Sequence, residues 1–89
     1  MALKLARETD GSRTRVFVRG ALEGASCDCL RHFWDAHCAG LAAGAEIVVD
    51  LSEVAHVDPS GEAILEELAA ASRARGVPVA VVGRPDQGA

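Results

Sequence analysis

Hydrophobic and polar positions change rhythm several times along the chain, and each change marks an element. Leu3 to Glu8 reads as a short strand. Thr9-Asp10-Gly11-Ser12 then signals a turn, because Asp-Gly favours positive φ. Arg15 to Arg19 (RVFVR) alternates, with Val16 and Val18 on one face. These two strands form an expected hairpin with a somewhat long loop. Cys27, Leu30, Trp34, Cys38 and Leu41 recur at spacings of three or four, which is one helical face. Ser26 is the expected N-cap of that helix and Asp28 a favourable first-turn carboxylate. Gly40 and Gly44 bracket its end.

Ile47 to Leu51 is a continuous apolar run broken only by Asp50, as in a strand covered on both faces or nearly so. A second helix follows. It is expected to bury Ile64, Leu65, Leu68, Ala71 and Ser72 and to expose Glu62, Glu66, Glu67 and Arg73. Gly76 suits a C′ residue, with Arg73 and Arg75 in or near the last turn. Val77 to Val82 is the last strand, and Pro78 fits a strand start or a sheet edge.

The order β-β-α-β-α-β predicts an α/β fold. Its two helical crossovers join parallel strands and are right-handed. If both step the same way, the result is a four-stranded mixed sheet, order 1-2-3-4, with the first strand antiparallel and two helices on one face. The 89 residues make one small domain, 1–89, with a polar, frayed tail from Arg84 to Ala89.

Composition narrows the function. Nine basic residues are scattered among thirteen acidic ones, net −4, with no basic block. A nucleic-acid surface needs clustered Lys and Arg, so that partner is not expected. No apolar run approaches the ~20 residues of a membrane span, and no signal region opens the chain. A cytoplasmic protein without membrane insertion is expected. Two Phe, one Trp and no Tyr leave a core of Val, Leu, Ile and Ala. Stability should be modest, and self-association would help it. Phe17 points to the sheet face without an obvious cover. A homodimer or a permanent partner is therefore expected on that face or on an exposed edge.

The junction Asp58-Pro59-Ser60-Gly61 is first a helix start. Asp58 suits the N-cap, Pro59 suits N1, Ser60 is N2 and Gly61 is N3, with Glu62 adding charge near the positive end of the dipole. Gly61 costs about 1 kcal/mol against Ala in a helix. Something must therefore approach its backbone closely, or the helix packs tightly on its sheet.

The stretch VVDLSEVAHVDPSGEAILEEL…RGVPVAVVG resembles the STAS domain, the fold of bacterial anti-sigma factor antagonists. The elements that carry the resemblance are Asp50-Leu51-Ser52, Val57, Asp58-Pro59-Ser60-Gly61, the helix through Leu68, and Gly76 before Val77–Val82. Gly20-Ala21-Leu22-Glu23 is similar to the family's G-E-L-D. The combination is fairly specific, whereas the D-x-S-G tetrapeptide alone is not. The resemblance implies a non-enzymatic regulatory module. Ser60 would be phosphorylated by an anti-sigma factor that is also a serine kinase. His56, Asp58, Pro59, Ser60, Gly61, Glu62 and Glu66 would form the partner surface. The alternative implied is a structural subunit of an ATPase assembly, such as a lipid-transport ABC system, without phosphorylation. Pro59 stands where the family usually has a small hydroxyl residue, and it stiffens the loop.

No cofactor is expected. Cys27, Cys29, His32, His37 and Cys38 invite a metal. On a helix, however, Cys27 and Cys29 lie about 200° apart and cannot share one ion. The three cysteines are an odd set and read as reduced thiols. A serine hydrolase would need a base and an orienting acid near Ser60, and His56 lies across a tight turn from it. The acidic positions Glu62, Glu66 and Glu67 are either a solvated helix face or a partner surface. Asp50 reads as structural, at a strand end.

Overall fold

A computed structural model describes residues 3–84. The elements follow the expected order: β1 (Lys4–Asp10), β2 (Arg13–Leu22), α1 (Ser26–His37), β3 (Glu46–Val57), α2 (Pro59–Ala74) and β4 (Val79–Val82). The strands form one sheet in the order β1-β2-β3-β4. β1 runs antiparallel to β2, and the other pairs are parallel. The Trp34 indole N–H donates to Ser72 Oγ at 3.2 Å, and Arg31 pairs with Glu67, so the two helices lie side by side. Both cover the same sheet face, which carries Val16, Val18, Ile47, Val49, Leu51 and Val79 into the core.

Several details differ from expectation, each for a local reason. The hairpin loop is short, because Asp10 pairs with Arg13 and only Gly11 and Ser12 turn the chain. Gly11 takes φ +62, which matches the twist of the flanking strands. The residue before α1 is Ala25, in helical conformation, and no side chain caps the helix. Ser26 is therefore inside the helix, not its N-cap. Its own N–H bonds to the Glu23 carbonyl, in a tight turn that leads into the helix. In α2 the buried alanine is Ala69, and Ala71 is exposed. Gly76, at φ +82, closes α2 as expected, with its N–H on the Arg73 carbonyl. Of the polar tail, the stretch beyond Arg84 lies outside the described residues.

The largest difference is β3, which runs to Val57 rather than stopping at Leu51. Its pairing with β2 shifts between Phe17 and Arg19 and again between Gly20 and Ala21. At the first shift Phe17 faces Asp50 while Arg19 faces Glu53, so β3 carries an extra residue there, as a bulge does. Asp50 holds this bulge, because its Oδ1 accepts from the Ser52 N–H at 2.9 Å and from the Ser52 hydroxyl at 2.6 Å. These bonds, the hydroxyl first, hold the Asp50 carboxyl below the usual carboxylate range. Asp50 is structural, but within the strand rather than at its end.

A carboxyl with a lowered folded pKa stabilises the fold above its unfolded value, 3.8. That stabilisation is lost as pH falls through the lower folded value. Asp50→Ala is expected to cost about 1–2 kcal/mol at neutral pH, and the difference from wild type should vanish in acid. Urea unfolding across the acid range measures both. A gap that stays constant with pH would mean the carboxylate is not what holds the bulge.

Candidate functional site

The C-terminal ends of β2 and β3 lead directly into the N-termini of α1 and α2. In open α/β sheets this is the end where functional residues gather. Here two loops meet. Residues 23–25 follow β2, and Asp58 follows β3.

Asp58 fixes both loops. Its backbone is extended (φ −89, ψ 177), as an N-cap requires. Its Oδ1 accepts from the Gly61 N–H at 2.8 Å, and its Oδ2 accepts from the Gly24 N–H at 3.2 Å. The Asp58 N–H in turn donates to the Leu22 carbonyl, also at 3.2 Å. Pro59 follows at N1, where its missing N–H leaves no donor unsatisfied.

Gly61 is buried against β2. A Cβ placed on it would lie 2.3 Å from the Leu22 carbonyl oxygen and 2.9 Å from Val57 Cγ1. The glycine is there because α2 touches the backbone of β2.

Pro59 and Ser60 are exposed at this junction, and Asp58 is half-buried. Glu62 and Glu66 are also exposed. Glu62 pairs with Arg84, just past the end of β4. His56 is exposed on the last turn-ward part of β3, with Nε2 3.8 Å from Glu23 Oε2. It is thus directed at the other loop, not hydrogen-bonded to Ser60. Five of the seven expected surface residues therefore lie at this end of the sheet, with Gly61 beneath them as packing rather than surface and Glu66 farther along, midway down α2. Glu67 leans away to Arg31 on α1, and this pairing lowers its pKa.

The residues that sequence reasoning did not assign to the site are Glu23, Gly24 and Arg84. The Gly20-to-Glu23 segment carried a signal, but the bond from Gly24, just beyond it, to Asp58 spans 34 positions and has no local pattern.

The α1 thiols are spread around the helix and its end. Cys27 is half-buried, Cys29 exposed and Cys38 buried. Burial pushes the Cys38 thiol up to about 11, so it stays protonated and apolar in character. Among the described residues, no group of three or more His, Cys, Asp or Glu side chains is placed to hold a metal ion. None of the described helices is long and apolar enough to cross a membrane.

Comparisons with known proteins agree with this architecture. No curated protein sequence matches the chain. A solved antisigma-factor antagonist, a STAS domain from Rhodobacter sphaeroides, superposes with a TM-score of 0.71 at 23% identity, covering 92% of this chain and 87% of that one. A structure of Mglu superposes with a TM-score of 0.77 at 21% identity, and this chain spans only 20% of its length. An uncharacterized protein of the DUF3478 family with a SpoIIAA-like fold, from Shewanella loihica, gives 0.61 at 11% identity, covering 93% of this chain and 70% of that one. At these identities the likeness is one of fold. The family described as "Mlab, STAS domain" matches residues 5–89, nearly the whole sequence. The chain therefore belongs to the STAS domain family.

Proposed function

We propose that the two tied loops are a docking surface for a protein partner and that phosphorylation of Ser60 switches docking off. The partner in this reading is an anti-sigma factor that is also a serine kinase, and the chain is a non-enzymatic regulatory module. One observation carries the proposal. The Ser60 side chain is exposed on a helix start that Asp58 holds in place, with carboxylates two residues away on either side.

A phosphate there adds about −1.5 to −2 charges. Helix N-termini commonly compensate such a charge with free N–H groups. This one has little left to offer. Pro59 has no N–H, Gly61 donates to Asp58 Oδ1, and Glu62 donates to the Asp58 carbonyl at 2.9 Å. Only the Ser60 N–H remains in the first turn. The added charge would stay uncompensated beside Asp58 and Glu62 and would oppose docking by repulsion and desolvation.

A second reading is a structural subunit of an ATPase assembly, such as a lipid-transport ABC system, using the same surface permanently. Pro59 favours it, because a stiffened loop is harder for a kinase active site to engage.

Capture from the native host with wild type, Ser60→Ala and Ser60→Asp separates the two. The switch predicts that Ser60→Ala retains the partner, that Ser60→Asp loses it, and that mass spectrometry finds phosphate on Ser60. Both variants should melt within about 0.5 kcal/mol of wild type, because N2 is exposed and tolerates Asp. Equal capture by all three proteins, with Ser60 never phosphorylated, would favour the permanent subunit.

A further inference from the structure

The strand order puts β1 at an edge of the sheet, and among the described residues nothing pairs with its outer side. Leu3 and Leu5 are half-buried on the helix side of this edge, and they pack against the core alongside Phe33 of α1. An open edge with an apolar fringe invites pairing, and charges are the usual guard against it. Here the charges have an order. Lys4, Ala6 and Glu8 alternate along the open face, with Leu5 and Arg7 on the helix face.

Within the chain these charges are left over. Lys4 faces Arg19 across the hairpin, and Arg19 leans to Glu53 at 3.7 Å. Glu8 faces Arg15, but Arg15 lies over the Phe17 ring, 5.9 Å from its centroid. Neither Lys4 nor Glu8 has an ion-pair partner among the described residues.

The geometry points to a second copy of this chain as the occupant of the edge, with the two β1 strands antiparallel about a two-fold axis at Ala6. Directly opposed residues in an antiparallel pair share a face. In this register Lys4 of each copy faces Glu8 of the other, so symmetry forms the pair twice. Leu5 faces the aliphatic stem of Arg7, and Leu3 faces Thr9. The helices of both copies lie on one side, and the apolar fringes meet.

Neighbouring registers are worse. Centring on Arg7 sets two guanidiniums face to face, and centring on Glu8 sets two carboxylates face to face. Centring on Leu5 places Lys4 against Ala6 and leaves Glu8 unpaired. A register that opposes odd with even residues turns the two helix layers to opposite sides and separates the fringes. The same charges that repel a foreign strand therefore select this one.

The proposal is independent of the Ser60 reading, because β1 contributes nothing to the docking loops. Sedimentation equilibrium of the full chain should give a concentration-dependent dimer, and Ser60→Asp should dimerise like wild type. Lys4→Glu improves the in-chain pairing with Arg19, so the variant folds. It also opposes two carboxylate pairs across the edge, and it should weaken the dimer about tenfold or more. Adding Glu8→Lys should restore it. In a Cys29→Ser background, Ala6→Cys should cross-link under mild oxidation. Opposed Cα atoms are about 4.5–5.5 Å apart, within the span of a disulfide. A monomer at every concentration, a dimer indifferent to Lys4→Glu, or no cross-link through Ala6→Cys would each overturn the proposal.

Discussion

Gly61→Ala is expected to destabilise the protein by about 3 kcal/mol, although a helix interior normally gains about 1 kcal/mol from that change. The backbone at Gly61 is not in the left-handed region, so conformational freedom is not the issue. Space is. The new methyl would lie 2.3 Å from the Leu22 carbonyl oxygen, a backbone atom that cannot rotate away, and 2.9 Å from Val57 Cγ1. Relief requires α2 to lift from β2, and that movement strains the Asp58 bonds to Gly61 and Gly24. For a domain of this size the loss corresponds to a fall in Tm of about 15 °C. Gly40→Ala is the matched control, since no atom beyond its own and the adjacent residues lies within 4 Å of its Cβ position, and it should change stability by no more than about 0.5 kcal/mol. Thermal unfolding followed by circular dichroism compares them. If Gly61→Ala melts at or above wild type, α2 does not approach β2 this closely.

Trp34→Ala should cost about 3–5 kcal/mol. Trp34 is only 3% exposed and is the largest side chain between the two helices. Its indole N–H reaches Ser72 Oγ, so one residue fills the interhelical space and bonds across it. Trp34→Phe keeps most of the volume and should cost about 1–2 kcal/mol. Ser72→Ala should cost a similar amount, because it leaves the buried N–H without an acceptor. Domains have only about 5–15 kcal/mol in total, so Trp34→Ala should be marginally folded at 37 °C. The tryptophan is the only one in the chain, so urea unfolding must be followed by far-ultraviolet circular dichroism rather than fluorescence. A loss no larger than that of Trp34→Phe would mean that the helices are held together elsewhere.

The element order and the strand order were legible because they rest on periodicity and connection rules. Leu30 and Trp34 fall on one face, and Val16 and Val18 on another, whatever the tertiary context. The full length of β3 was not legible. Its apolar rhythm breaks at Asp50-Leu51-Ser52, where a local bulge adds a residue and shifts the alternation, so a break in pattern looked like an end. Ser26 misled for a similar reason, since the chain enters α1 through a turn whose backbone bonds replace a side-chain cap. Ala69 and Ala71 have the same chemistry, and only the placement of α2 on its sheet decides which is covered.

At the candidate site the start of α2 was legible, because Asp, Pro and Gly each carry a strong local preference. The sequence also required some close approach at Gly61, but not that Leu22 makes it. The tie from Asp58 to Gly24 joins positions far apart in the chain, and such bonds leave no local pattern.

The double acceptance by Asp58 has an energetic consequence for any partner that docks on this surface. Loops that must become ordered on binding give up conformational entropy, and that loss subtracts from affinity. Here both loops are already fixed to each other through one carboxylate, so a partner meets a preorganised surface and little binding free energy goes into shaping it. Asp58→Asn would keep one acceptor oxygen and must release either Gly24 or Gly61. Its expected signature is weaker binding with a more unfavourable entropy, measured by calorimetry, while the residues that face the partner remain unchanged.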